Sequence, residues 1–169
     1  MHYRSYRFLT PLIMVLTWAN MEAQTSHPVP RLVVNVTIDQ LRTDYMEAFS
    51  SLFGAGGFNK VMRDGRSYMD AAYPFSHIDR ASAVACIMTG TVPYDNGIVG
   101  GRWMDRKTLR PMYCVDDTAC EGWLTSEKYS PVALNVSTVT DELKMATGGR
   151  ALVYSMAPDA DAAILAAGH

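Results

Sequence analysis

Arg31-Leu-Val-Val-Asn-Val-Thr-Ile38, stopped by Asp39, is the stretch on which the fold turns. Its β-branched residues are stiff at χ1 and favour extended backbone, so this largely apolar run predicts a buried strand ending at Asp39. Asp39-Gln-Leu-Arg-Thr-Asp-Tyr45 then opens a helical stretch to about Phe53, ended by Gly54, Gly56 and Gly57. A second short helix, Phe58 to Arg63, is closed by Asp64-Gly65, and Ser67 to Tyr73 predicts another strand. Small apolar residues from Ala81 to Met88 predict a tightly packed helix with Gly90 just beyond its end. Pro93-Tyr-Asp-Asn-Gly97 is a turn cluster, and Ile98-Val99 and Leu109 to Val115 read as short extended pieces. Residues 116–131 are irregular and polar. Ser137 or Thr138 caps a helix to about Ala146, Gly148-Gly149 stops it, and Arg150 to Met156 is again a strand. Strands alternating with helices predict an α/β fold, layered, with a largely parallel sheet flanked by helices. The chain stops at Ala162-Ala-Ile-Leu-Ala-Ala-Gly-His169, in mid-pattern, so the expectation is an incomplete fold.

The whole sequence bounds the function classes. At 169 residues, 49% hydrophobic and 19% charged, it has the length and composition of one globular domain. The formal net charge is -2 and no Lys/Arg block stands out, so nothing signals nucleic acid binding. The first 23 residues differ from the rest: Arg4 and Arg7 precede an apolar stretch from Phe8 to Ala19, followed by a short polar step to Ala23. That layout predicts a signal peptide over 1–23, export to the periplasm or the medium, and a mature domain over 24–169. No later window is long and apolar enough to span a membrane. Cys114 and Cys120 either close a small loop in an oxidising compartment or remain thiols, as does Cys86.

Two places can carry chemistry. Asp39, at the end of the first predicted strand, is either a helix cap or a ligand for a divalent metal at the sheet edge where α/β folds build their sites. The segment from Tyr73 to Arg80 leads through a polar loop into the small-residue helix, whose free N–H groups favour an anion such as phosphate. Ser76 or Ser82 there is either an ordinary cap or a metal-activated nucleophile. His77 reads as a loop residue.

Taken together, Leu32-Val-Val-Asn-Val-Thr-Ile-Asp-Gln-Leu-Arg-Thr-Asp-Tyr45, Gly56-Gly-Phe-Asn-Lys-Val-Met-Arg-Asp-Gly65 and Met88-Thr-Gly-Thr-Val-Pro-Tyr-Asp-Asn-Gly-Ile-Val-Gly100 resemble the alkaline phosphatase superfamily. The sequence is most similar to its type I phosphodiesterase/nucleotide pyrophosphatase branch and to the periplasmic alkaline phosphatases with a threonine nucleophile. The resemblance spans residues 31–169 and only the N-terminal part of the family domain. It implies an exported phosphoester hydrolase acting on mono- or diesters, two zinc ions, a Ser or Thr nucleophile and a phosphoenzyme intermediate. Carried over by residue, the first metal carboxylate falls on Asp39. The nucleophile position falls on Arg80, which cannot accept a phosphoryl group, and Ser82, two residues on, is the nearest substitute. A phosphate-contacting Asn of relatives corresponds to Gly101, with Arg102 next, and a Lys and an Arg of some relatives correspond to Asp159 and Asp161. Arg80 and Arg102 are the remaining candidates for binding a phosphate ester substrate. The other metal ligands of the family belong to a later region and have no counterpart in these residues; Arg80 at the nucleophile position favours a second reading, a non-catalytic member serving as a periplasmic binding or interaction module.

Overall fold

The computed structural model describes residues 29–169, so the predicted signal peptide over 1–23 lies outside the described residues. Two compact units divide the chain at Val34 and Asn35. Of the first unit only residues 29–34 are described, and they carry no regular structure apart from a bend at Arg31.

The second unit is held by two helices that can approach closely because their facing residues are small. Helix α3, Arg80–Thr89, and helix α6, Ala160–Ala167, are rich in alanine. Ala81, Val84, Ala85 and Met88 of α3 and Leu165 of α6 are buried together with Ile98, Cys114, Val115 and Leu134. At about 25 cal/mol per Å² of apolar surface, this cluster is the main favourable term available to the unit. Ahead of it lie α1, Thr43–Ala48, a 3₁₀ turn at Ser50–Leu52, and α2, Gly57–Asp64. After α3 come the single-turn α4, Pro93–Asn96, and a hairpin of β1, Arg102–Met104, with β2, Pro111–Tyr113. The hairpin is antiparallel, Trp103 facing Met112 across it. Helix α5, Val139–Ala146, precedes α6.

Local chemistry explains the elements that match expectation. Gly90 sits at φ 69° and ends α3 in the left-handed conformation that favours glycine. Thr138 caps α5 by accepting the Asp141 N–H, and Asp141 reaches back to the Thr138 N–H. At the end of α4, buried Asn96 donates to the Thr91 carbonyl at 3.0 Å and accepts the Ile98 N–H at 2.9 Å. Gly97 follows at φ 86°, and a Cβ there would lie 2.6 Å from the Ala133 carbonyl oxygen.

Several expectations are corrected. Residues 31–38, 67–73 and 150–156 are not strands: apart from the bend at Arg31 and a turn at Met69-Asp70 they run without regular structure and join no ladder among the described residues. Residues 151–156 keep the alternation of a strand, with Leu152, Tyr154 and Met156 exposed and the residues between them half-buried. Backbone that pairs with nothing cannot become a sheet, whatever its propensity. The helix expected from Gln40 starts at Thr43, because Gln40 adopts φ 59° and breaks the helical path. Of the two short extended pieces expected, Leu109 to Val115 contains β2, whereas Ile98-Val99 joins no ladder among the described residues and the partner strand is Arg102–Met104. Helix α6 occupies the terminal stretch that sequence reading left without structure. The three cysteines are free thiols, and burial first of all pushes the Cys114 thiol up to about 12.

Candidate functional site

The N-termini of α3 and α6 meet, and the charged residues of the region gather there. Asp79 is the N-cap of α3. Its Oδ1 accepts the Ser82 N–H at 2.9 Å, while the Asp79 N–H donates to Ser82 Oγ at 3.0 Å. Its other oxygen accepts the Gly101 N–H at 2.6 Å, tying the loop before β1 to the helix start. Partial burial works against ionisation of Asp79, yet the N–H groups of Ser82 and Gly101 and the Ser82 hydroxyl outweigh it and hold the carboxyl below its ordinary value. Sequence reading missed Asp79 as the cap; the signal was the spacing Asp79-x-x-Ser82, one acceptor three residues before another.

Arg80, the first residue of α3, reaches across to α6. Its Nε and Nη2 donate to Asp161 Oδ1 and Oδ2, both at 3.1 Å, and Nη1 lies 2.7 Å from Asp159 Oδ2. Asp161 is 2% exposed, whereas Asp159, the N-cap of α6, is half exposed. The fork-on-fork geometry is the strong form of an arginine–carboxylate pair. The hydrogen bond to Asp161 is the largest cause raising the Arg80 pKa further above its ordinary value. The Asp161 N–H donates to Tyr113 Oη at 3.1 Å, and the Arg102 guanidinium lies 4.8 Å from the centre of the Tyr113 ring.

These groups line an open pocket of about 420 Å³ formed by Asp79, Arg80, Ala81, Gly101, Arg102, Tyr113 and Asp161. The two arginines singled out from sequence are therefore brought together. Ser82 and Asp39 do not line it. Ser82 is fully buried, its hydroxyl donating to Asp79 Oδ1 at 2.9 Å. Asp39 is exposed in the turn after the first extended segment, and Arg42, not Asp39, is the N-cap of α1. Burial, then the neighbouring Cys86 and Asp39, raise the Tyr73 hydroxyl, which puts these three groups within electrostatic reach of one another. Ser76 and His77 lie in the exposed loop before α3.

A pair of zinc ions does not fit the residues at hand. Among the described residues no group of three His, Cys, Asp or Glu side chains stands close enough to hold a metal ion. Asp39 alone supplies one ligand where a zinc site needs three or four.

Residues 33–165 match the family described as Type I phosphodiesterase / nucleotide pyrophosphatase. The chain belongs to that family. Relatives include the alkaline phosphatase PhoV of Synechococcus elongatus, 40% identical over 143 residues, which is 83% of this chain and 26% of that protein. The alkaline phosphatase PafA of Elizabethkingia meningoseptica is 30% identical over 167 residues, covering 96% of this chain and 31% of PafA. The crystal structure of wild-type PafA superposes with a TM-score of 0.72 at 30% identity, over 85% of this chain and 28% of that one. This family member thus has the alkaline phosphatase fold in part, an α/β domain of which it spans between a quarter and a third of the relatives' length. No helix among the described residues is long and apolar enough to cross a membrane.

Proposed function

We propose that this chain is the N-terminal part of an exported family member that keeps the frame of a phosphoester hydrolase without phosphoryl transfer at this site, and serves as a binding or interaction module. The observation that carries the reading is Arg80. It stands where the resemblance puts the phosphoryl acceptor, and a guanidinium has no lone pair free to attack phosphorus. Its fork is already committed to Asp161 and Asp159. The nearest hydroxyl, Ser82, is buried inside the capping box of α3, so using it as a nucleophile means breaking the cap that starts the helix. Full-length protein supplied with zinc should leave p-nitrophenyl phosphate and bis-p-nitrophenyl phosphate unhydrolysed. Turnover that Ser82→Ala abolishes would overturn this reading.

One observation favours a second reading. The family match runs through Asp39, and all the relatives named above are alkaline phosphatases. In that reading the full-length protein is a metal-dependent hydrolase of phosphate mono- or diesters. Asp39 holds one of two zinc ions, the other ligands come from outside residues 29–169, Ser82 is the nucleophile, and Arg80 and Arg102 bind the ester. Zinc would supply Lewis acidity. Zinc affinity unchanged by Asp39→Asn would remove that assignment. Both readings place the protein in the periplasm or the medium, with residues 1–23 as a signal peptide and 24–169 as the domain; a mature N-terminus at Gln24 is the expected finding on sequencing.

A further inference from the structure

We infer that Asp159 and Asp161 close the pocket at the start of α3 to phosphate anions by occupying the Arg80 guanidinium, which makes these two acids its specificity-determining residues. The inference rests on the reading of the site as non-catalytic and says what kind of ligand it refuses. A helix N-terminus with an arginine beside it is ordinarily attractive to phosphate, because free N–H groups, dipole and guanidinium all favour negative charge. Here internal anions already occupy the Ser82 N–H and the Arg80 guanidinium. Asp79 takes the Ser82 N–H and the Gly101 N–H at 2.9 and 2.6 Å. Asp161 takes two donors of the Arg80 fork as a phosphate would, and Asp159 sits on a third. Two carboxylates, Asp79 and Asp161, line the pocket with the two guanidinium groups of Arg80 and Arg102, and Asp159 at its margin adds a third negative charge on Arg80.

Geometry adds a reason why the closure persists. Asp161 is 2% exposed and its Oδ1 also accepts the Ala162 N–H at 2.7 Å, so releasing Arg80 means moving a buried carboxylate out of its hydrogen bonds. An entering phosphate dianion would have to displace a buried carboxylate and leave it without its partner, which is unfavourable in a poorly solvated place. A neutral or cationic ligand meets no such barrier.

The test titrates full-length protein with inorganic phosphate in a calorimeter. In the wild type, Arg80→Gln should change phosphate affinity by less than about twofold, since Arg80 has no free charge to offer. The variant Asp159→Asn/Asp161→Asn should bind phosphate at least about tenfold tighter than wild type, and adding Arg80→Gln should erase the gain, as expected for freeing one charge-assisted contact. Should the buried Asp161→Asn change prevent folding, judged by loss of a melting transition, Asp159→Asn alone at its half-exposed position should still tighten binding by about threefold. Closure is refuted by folded acid-neutralised variants that gain nothing, or by a wild type whose phosphate affinity drops about tenfold on Arg80→Gln. Release of nitrophenolate by the wild type would count against the non-catalytic reading instead, so the two failures are told apart by different signals.

Discussion

A cation at the first residue of α3 meets the positive end of the helix dipole, an arrangement that costs roughly 0.3–1 kcal/mol where a carboxylate would gain it. Arg80 is tolerated there because Asp159 and Asp161 surround it. The converse dependence is stronger, since Asp161 is buried and Arg80 is its charge partner. Arg80→Met should therefore destabilise the protein by about 2 kcal/mol in urea unfolding, less than a fully buried pair because Arg80 is itself partly exposed. Adding Asp161→Asn should recover a good part of that loss; strictly additive losses would show that the pair is not coupled. Asp141 gives a pH-dependent counterpart. Burial opposes its ionisation, but the Thr138 N–H, the His169 ring and the Thr138 hydroxyl bring its carboxyl down from 3.8 to about 2. A depressed carboxyl stabilises the fold above its ordinary pKa and loses that contribution as it is protonated. The free energy of unfolding should fall as pH drops from about 4 toward 2, by about 2 kcal/mol from this group, and Asp141→Asn should flatten that slope. Reading single residues from sequence found Arg80, Arg102 and Asp39, but not what each would touch. Asp159 and Asp161 lie about eighty positions from Arg80, a distance that only folding removes.

At the scale of elements, the helices that sequence located best are those whose ends are written locally. Helix α5 runs Val139–Ala146 under its Thr138 cap, close to the expected span, because the capping box and the glycines after it act within a few residues. Thr138→Ala should cost about 1–2 kcal/mol by thermal unfolding, since both the cap and the fully buried hydroxyl's bond to Asp141 disappear. Gly97→Ala belongs to the same scale. At φ 86°, with its Cβ 2.6 Å from the Ala133 carbonyl oxygen, it should destabilise by more than about 1 kcal/mol, and a neutral result would show that the turn can relax. The extended segments fared differently. Val36, Ile38, Leu152, Tyr154 and Met156 belong to stretches with strand-like composition, and yet they form no ladder among the described residues. Helical hydrogen bonds close within one segment, whereas a strand's bonds depend on a neighbour that the segment itself cannot specify.

At the scale of the whole molecule, the described residues bury one small core and leave many large apolar side chains exposed, Trp123, Leu124, Tyr154 and Met156 among them. Residues 24–169 expressed alone should bind a dye such as ANS and lack a sharp melting transition; cooperative unfolding without dye binding would contradict this. Family membership and α/β class were legible in the sequence because linked motifs from Leu32 to Gly100 are local and survive without any partner. The sequence also marked the start of α3 as the place where an anion would be expected, since a polar loop leading into a small-residue helix is a local pattern. Only the tertiary structure decided what that place holds. It brings α6 onto α3, puts two carboxylates on Arg80, buries Ser82 in a cap and leaves Asp39 outside the pocket. The reason is physical: propensity, capping and turn chemistry act over a few residues, while the charge of a pocket is the sum of groups that only packing brings together.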